Sequence, residues 1–188
     1  FGEDIRKIQF LRVPPDEINR SSYQANSRIA AVTSPVVAYR FNVLKRGDFG
    51  IEATSSLSSQ PPTLAVDGIL EPPSTWMAGL VPLPIYLTID LGDIYTLGKI
   101  VVHHNVIGKR SFGPQNAKVL VSSDSFEFAE ILEVSDFEDA ATVIHLPSHP
   151  STRFVRLEIT ESKQVNNVQL NEVEIFDVAH SKISRFLT

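Results

Sequence analysis

No cysteine occurs in the chain, so disulfide bonds and thiolate metal sites are excluded, while the redox compartment is left open. Long apolar runs are missing as well. The best candidate, residues 78–91, is broken by Pro82, Pro84 and Asp90, and falls short of the ~20 residues that cross a bilayer as a helix. Basic charge is in deficit: 17 Lys and Arg stand against 22 Asp and Glu, a net charge of −5. The imbalance is uneven, with residues 1–48 at +3 and residues 49–188 at −8. An acidic body argues against a phosphate-dominated nucleic-acid surface. Catalytic signatures are absent too. There is no Gly-x-Ser-x-Gly elbow, phosphate-cradling glycine loop or His-Glu-x-x-His pair. The adjacent His103 and His104 fall on opposite faces of a strand and do not chelate a metal together. Asp124/Glu127 and Glu172/Glu174 resemble glycosidase acid–base pairs, but among seventeen carboxylates in the acidic body some pair always looks suitable. The chain is read as not an enzyme. No signal-peptide pattern is seen, and the start at Phe1 is read as the mark of a processed chain or of a piece cut from a larger protein, the second being preferred.

What is present is an ordinary globular composition, 43% apolar and 21% charged over 188 residues, enough for one good-sized core. Leu87, Ile89 and Leu91 alternate with Tyr86, Thr88 and Asp90, the period-2 mark of a half-buried antiparallel strand. Similar short runs recur at 50–54, 97–104, 117–122, 127–134, 141–146, 153–160 and 168–176, with turn residues between them and no sustained helical stripe. Eight strands without intervening helices predict an all-β fold, an eight-stranded antiparallel jelly-roll sandwich. The predicted domain spans residues 49–178, with a tail at 179–188. Residues 1–48 are read as an N-terminal extension or the end of a preceding module, bounded by the basic turn Lys45-Arg46-Gly47-Asp48. Within them Tyr39, Phe41 and Val43 alternate as a strand. The acidic run 124–139 interleaves seven carboxylates with Phe126, Phe128, Ile131, Leu132, Val134 and Phe137, and is read as a strand plus a solvated loop.

Six short motifs occur in order: Thr54-Ser55-Ser56, Asp67-Gly68 with Trp76, Ile89-Asp90-Leu91-Gly92, Val121-Ser122-Ser123-Asp124, Phe154-Val155-Arg156-Leu157 and Leu170-Asn171-Glu172-Val173-Glu174-Ile175. Over residues 46–178 this order and spacing resembles a discoidin domain of the coagulation factor five/eight type C group, which is similar to the family-32 carbohydrate-binding modules of bacterial enzymes. Two departures stand out: the loop from Asp67 to Trp76 is longer than the family's usual version, and the cysteine pair of the animal branch is missing. The resemblance implies a galactose-binding-like fold with first and last strands side by side.

A hard divalent cation needs six to eight oxygen ligands, which a constrained loop supplies from carbonyls and one or two carboxylates. Loop 67–75 offers Asp67, Ser74, Thr75 and carbonyls set by Gly68 and Pro72-Pro73; the same Asp67 also suits an Asx-turn acceptor. The resemblance implies a structural Ca²⁺ here, held by Asp67 and Ser74 and closed by Glu172 from the last strand. A sugar is held by an aromatic ring against its C–H face and by directional polar groups. In similar modules the loops at one end carry these groups, which gives His104, Asn105, Arg110, Phe112, Asn116 and Asn166 as the ligand-binding set. Phe112 is the expected platform and Trp76 a core plug beneath the loop. The resemblance thus implies a non-catalytic glycan-binding module for a galactose-type sugar or polysaccharide. It would be extracellular or at the cell surface, among other domains of the same polypeptide. Two readings of the same fold compete with it: a protein-interaction scaffold, and a lipid-binding domain for which Val106-Ile107 with Lys109-Arg110 provides only one apolar spike.

Overall fold

The computed structural model describes residues 39–46, 48–164 and 167–178. Among them are eleven strands: β1 (Tyr39–Asn42), β2 (Gly50–Ala53), β3 (Trp76–Met77), β4 (Ile85–His104), β5 (Val106–Ile107), β6 (Arg110–Ser111), β7 (Pro114–Ser122), β8 (Ala129–Ser135), β9 (Ala141–His145), β10 (Ser151–Ser162) and β11 (Gln169–Val178). All pairings are antiparallel, and the two 3-10 turns are Val43–Arg46 and Pro62–Ala65. No helix among the described residues is long and apolar enough to cross a membrane.

The predicted strands at 86–91 and 97–104 are one strand, β4, that belongs to both layers. Its first half pairs with β2 and β10, through Thr88↔Glu52 and Thr88↔Arg156. Its second half pairs with β11 and β9, through Ile100↔Ile175 and Ile100↔Ile144. One layer therefore runs β2–β4–β10–β7–β8 and the other β1–β11–β4–β9. The alternation read from sequence is kept: Leu87, Ile89 and Leu91 face inward with Leu157, Ile159 and Val119, opposite Ile100, Val102, Val173 and Ile175, all at 4% exposure or less. Each such side chain contributes about 1.5–3 kcal/mol by leaving water.

The first and last strands do lie side by side, but the first is β1, with Tyr39↔Val178 and Asn42↔Phe176. The 50–54 strand pairs with β4 instead. Asn42 fixes this junction, its Oδ1 accepting the Leu44 and Ile175 N–H groups, and Val43 and Leu44 enter the core. The sheet thus continues through residues assigned from sequence to the extension, past the boundary drawn at Lys45–Asp48.

The β4–β10 register breaks just past the Asp90-Leu91-Gly92 motif; the ladder resumes at Tyr95 and Thr96 before β4 joins β11 at Leu97. Arg153 on β10 donates two bonds to Asp90, 2.7 and 2.8 Å, and the Gly92 N–H donates a third at 2.9 Å. The Arg153 guanidinium holds the Asp90 carboxyl below its usual range. Gly92 has φ +77°, and a Cβ there would sit 2.0 Å from the Asp48 carbonyl oxygen. Gly108 also has positive φ, +63°, but faces open space. Gly92→Ala is accordingly expected to destabilise by more than about 3 kcal/mol, and Gly108→Ala by about 1 kcal/mol, the cost of the backbone conformation alone. Urea midpoints at unchanged m-value check the difference; equal losses would mean that the Asp48 contact is not what fixes the bend.

Candidate functional site

Past His104 the chain forms the β5–β6 hairpin, with Val106↔Ser111 and Ile107↔Arg110, turning at Gly108. Its base is closed by main-chain bonds: Phe112 N–H to Asn105 O at 2.9 Å, Gln169 N–H to Phe112 O at 2.8 Å, and Asn105 N–H to Gln169 O at 3.2 Å. The Ala78 N–H donates to Val168 O at 3.0 Å, which brings the loop after β3 to the same end. The result is a fixed frame with an exposed rim: Ile107 is 60% and Leu80 82% exposed, and Lys109 and Arg110, which follow Ile107 on the hairpin, are exposed too.

Of the sugar-binding set, Arg110 is exposed and Phe112 half-buried, so the expected platform presents only part of its ring. Asn116 is half-buried and already bonded, its amide donating to Glu161 at 2.8 Å and its Oδ1 accepting the Asp136 N–H at 3.3 Å. His104 and Asn105 require correction as ligand contacts, because both are buried, at 2% and 6%. The inward frame of β4 is Ile100, Val102, His104, so His103 is the histidine that points out, 3.1 Å from Glu174. The sequence left this phase open because Ile100, Val101 and Val102 are all apolar. Asn105 turns in to donate to Gln169 Oε1 at 2.7 Å. Asn166 lies outside the described residues. Trp76 is the expected plug, fully buried, with its Nε1–H on the Ser55 carbonyl at 3.2 Å. Gln169, with both main-chain groups and its side chain in the frame, was not singled out from sequence, since a polar residue opening a strand carries no signal by itself.

His104 Nε2 lies 2.8 Å from Ser111 Oγ and accepts the Ala140 N–H at 3.2 Å; Nδ1 has no partner among the described residues. A serine beside a histidine is the start of nucleophilic chemistry. Here both residues are buried, and the carboxylate nearest in influence, Asp139, is bonded to Lys163 at 2.9 Å. The pair instead anchors the hairpin. Its ring packs on Gly113, where a Cβ would come 2.4 Å from the imidazole Cγ. Burial, reinforced by Lys163 and His103 and opposed by Asp139, lowers the His104 pKa to about 4.

The three residues expected to hold a cation are brought together. Asp67 accepts the Ile69 N–H at 2.9 Å and the Ser74 hydroxyl, and Glu172, 2% exposed, accepts the Gly68 N–H at 3.0 Å. Burial, with the nearby Asp67, pushes the Glu172 carboxyl up to about 7 against the pull of that N–H bond. Asn171 ties the same loop down, accepting from Thr75 Oγ1 at 2.8 Å and donating to Leu70 O at 2.9 Å. Both side chains reach the loop because β11 carries a bulge: Leu170 pairs with His104 and Glu172 with His103, which leaves Asn171 as the extra residue. The donor set is all oxygen and suits a hard cation, but it has two carboxylates. No cluster of three or more His, Cys, Asp or Glu exists among the described residues. A cation here would have to take its remaining ligands from hydroxyl and carbonyl oxygens.

The depressed His104 pKa has a definite sign for stability. Between pH 6.5 and about 4 the unfolded chain takes up a proton that the native state refuses. Its contribution is therefore complete above pH 6.5 and is lost as pH falls through this window. Replacing His104 by Gln removes that arm. The stability difference between parent and His104→Gln is expected to shrink by up to about 3 kcal/mol from pH 6.5 to 4, measured by urea denaturation in chelator. A pH-independent difference would show that His104 titrates normally.

Comparison with known proteins agrees with this architecture. The model of the F5/8 type C domain matches residues 50–173. No curated protein matches the chain. Among solved structures, the family 32 carbohydrate-binding module of Clostridium perfringens NanJ in complex with galactose is similar at a TM-score of 0.63 and 13% identity, covering 73% of this chain and 98% of that one. The C. perfringens module CpGH89CBM32-5 in complex with GalNAc-β-1,3-galactose gives 0.62 at 21% identity, covering 71% and 98%. A chitosan-binding module from a Paenibacillus chitosanase/glucanase gives 0.62 at 16% identity, covering 72% and 98%. With the family model spanning most of the sandwich, the chain belongs to the F5/8 type C domain family.

Proposed function

We propose that this chain is a non-catalytic carbohydrate-binding module that takes a galactose-type sugar at the loop end. The observation that carries this reading is its likeness, over 98% of that chain, to a module solved with galactose. Arg110 and the exposed part of Phe112 supply the directional donors and the apolar face, and Asn116 adds an amide at the base of β7. A glycan binder works where glycans are displayed, so we place it outside the cell or at its surface, within a larger polypeptide. We further propose that Asp67, Ser74 and Glu172 hold a structural calcium ion that pins loop 67–75 to β11. The support is the convergence of these oxygen donors with Asn171 bracing the same loop.

A second reading has its own support. Leu80 and Ile107 are two exposed apolar tips on loops of one end, beside Lys109 and Arg110, where the sequence had offered a single spike. That is the arrangement of a surface that dips into anionic lipid.

On a glycan array, Arg110→Ala and Phe112→Ala are each expected to weaken binding of galactosides about tenfold or more, with melting temperature unchanged. A blank array together with salt-sensitive pelleting on phosphatidylserine vesicles would replace the sugar reading by the lipid one. Calcium is expected to raise the melting temperature relative to chelator, because an ion bound only by the native state stabilises it by mass action. Asp67→Asn and Glu172→Gln should abolish that rise; an identical melting temperature with and without calcium would remove the ion.

A further inference from the structure

The outer face of the β2–β4–β10 layer carries a polar trench. Register builds it. Glu52, Thr88 and Arg156 form one row across the three strands, all on the side opposite Leu87, Ile89 and Leu157. They line, with Thr54 and Tyr86, a groove of about 280 Å³. A second groove of about 270 Å³ shares Glu52 and Thr88 and continues to Asp90, Ser125 and Phe154. Each is close to the lower end of the ~300–1,000 Å³ of small-molecule sites, and the two are joined through shared walls.

Arg156 is held rigidly. Its guanidinium lies 3.7 Å from the Phe128 ring centroid and 5.3 Å from that of Tyr86, and Nε donates to Thr88 Oγ1 at 2.8 Å. It takes part in no ion pair among the described residues, and its terminal nitrogens keep their donors. The carboxylate of Glu52, on the neighbouring wall, likewise has no hydrogen bond or ion pair among the described residues. A fixed guanidinium and a carboxylate that line one groove without meeting each other are complementary to a ligand that both accepts and donates, which adjacent hydroxyl groups do. An anionic ligand would gain Arg156 but meet the Glu52 charge. Phe154 supplies apolar wall for a C–H face, as Tyr86 does in the first groove.

We propose that this trench is a second saccharide site, which takes two consecutive residues of a neutral polysaccharide chain. Glu52 accepts from sugar hydroxyls, Arg156 donates to them, and the rings of Tyr86 and Phe154 contact the sugar faces. The site does not depend on the loop end, so the two are testable separately. The ¹⁵N-labelled chain carrying Arg110→Ala and Phe112→Ala, which silence the loop end, is titrated with neutral galactan, xylan and β-glucan and with polygalacturonate. A neutral polymer is expected to shift the amides of Thr54, Thr88 and Arg156. Glu52→Gln and Arg156→Lys should each lower that affinity about tenfold, and Glu52→Gln does so with the sheet intact because it keeps the side chain's shape. The proposal is overturned if no neutral polymer perturbs β2, β4 and β10, if polygalacturonate binds there more tightly than the neutral chains, or if Glu52→Gln leaves the shifts unchanged. Shifts confined to residues 105–112 in the unsubstituted chain would support the loop end and count against the trench.

Discussion

The continuity of β4 is the constraint on which the rest of the molecule depends. One strand of 20 residues forms the seam of both layers, so the layers cannot slide without breaking its ladders. The strand begins the bend that leads from one layer to the other where Gly92 passes against the Asp48 carbonyl and where Asp90 is held by Arg153. Those contacts tie the bend to the chain entering β2 and to β10. The motif Ile-Asp-Leu-Gly thereby acquires a physical meaning: two inward side chains, one carboxylate for the cross-strand arginine, and one residue without a Cβ.

The far end of β4 sets up the loop region by the same economy. His104 closes the inward frame and seats the hairpin through Ser111, Ala140 and Gly113. Directly across the ladder, the bulge in β11 turns Asn171 and Glu172 toward loop 67–75. The titratable groups buried on either side of this register step are shifted in opposite senses: His104 resists gaining a proton and Glu172 resists losing one, in each case chiefly because burial disfavours the charge.

Much of this was legible from residues alone. Period-2 alternation at 86–91 gave the inward face correctly, and the absence of helical stripes gave the class of fold. The merger of two predicted strands into β4 was hidden, because Gly92 and Asp93 carry turn chemistry whether the strand ends or bends. The bulge left a trace that alternation rules overlook: Leu170 and Val173 are three apart in a strand of period two, and both are fully buried. For the site, Asp67, Ser74 and Glu172 were singled out by loop chemistry and resemblance together, and the fold brings them close through the Ser74–Asp67 and Gly68–Glu172 hydrogen bonds. His104 and Asn105 were misassigned because three consecutive apolar residues upstream erase the phase that decides which side chain turns inward. The trench had no local signal, since Glu52, Thr88 and Arg156 become neighbours only through cross-strand register.

The hairpin at 106–111 is fastened at its base by main-chain atoms of Asn105, Phe112 and Gln169, so the residues at its tip have no duty in holding the sandwich. Such a tip is an exchangeable cassette. Substitutions there leave the main-chain frame in place, so under the proposed function selection on ligand and selection on stability would act on separate positions. A lineage built this way drifts far in sequence while its architecture stands still, as 13% identity over 98% of a related module's length illustrates.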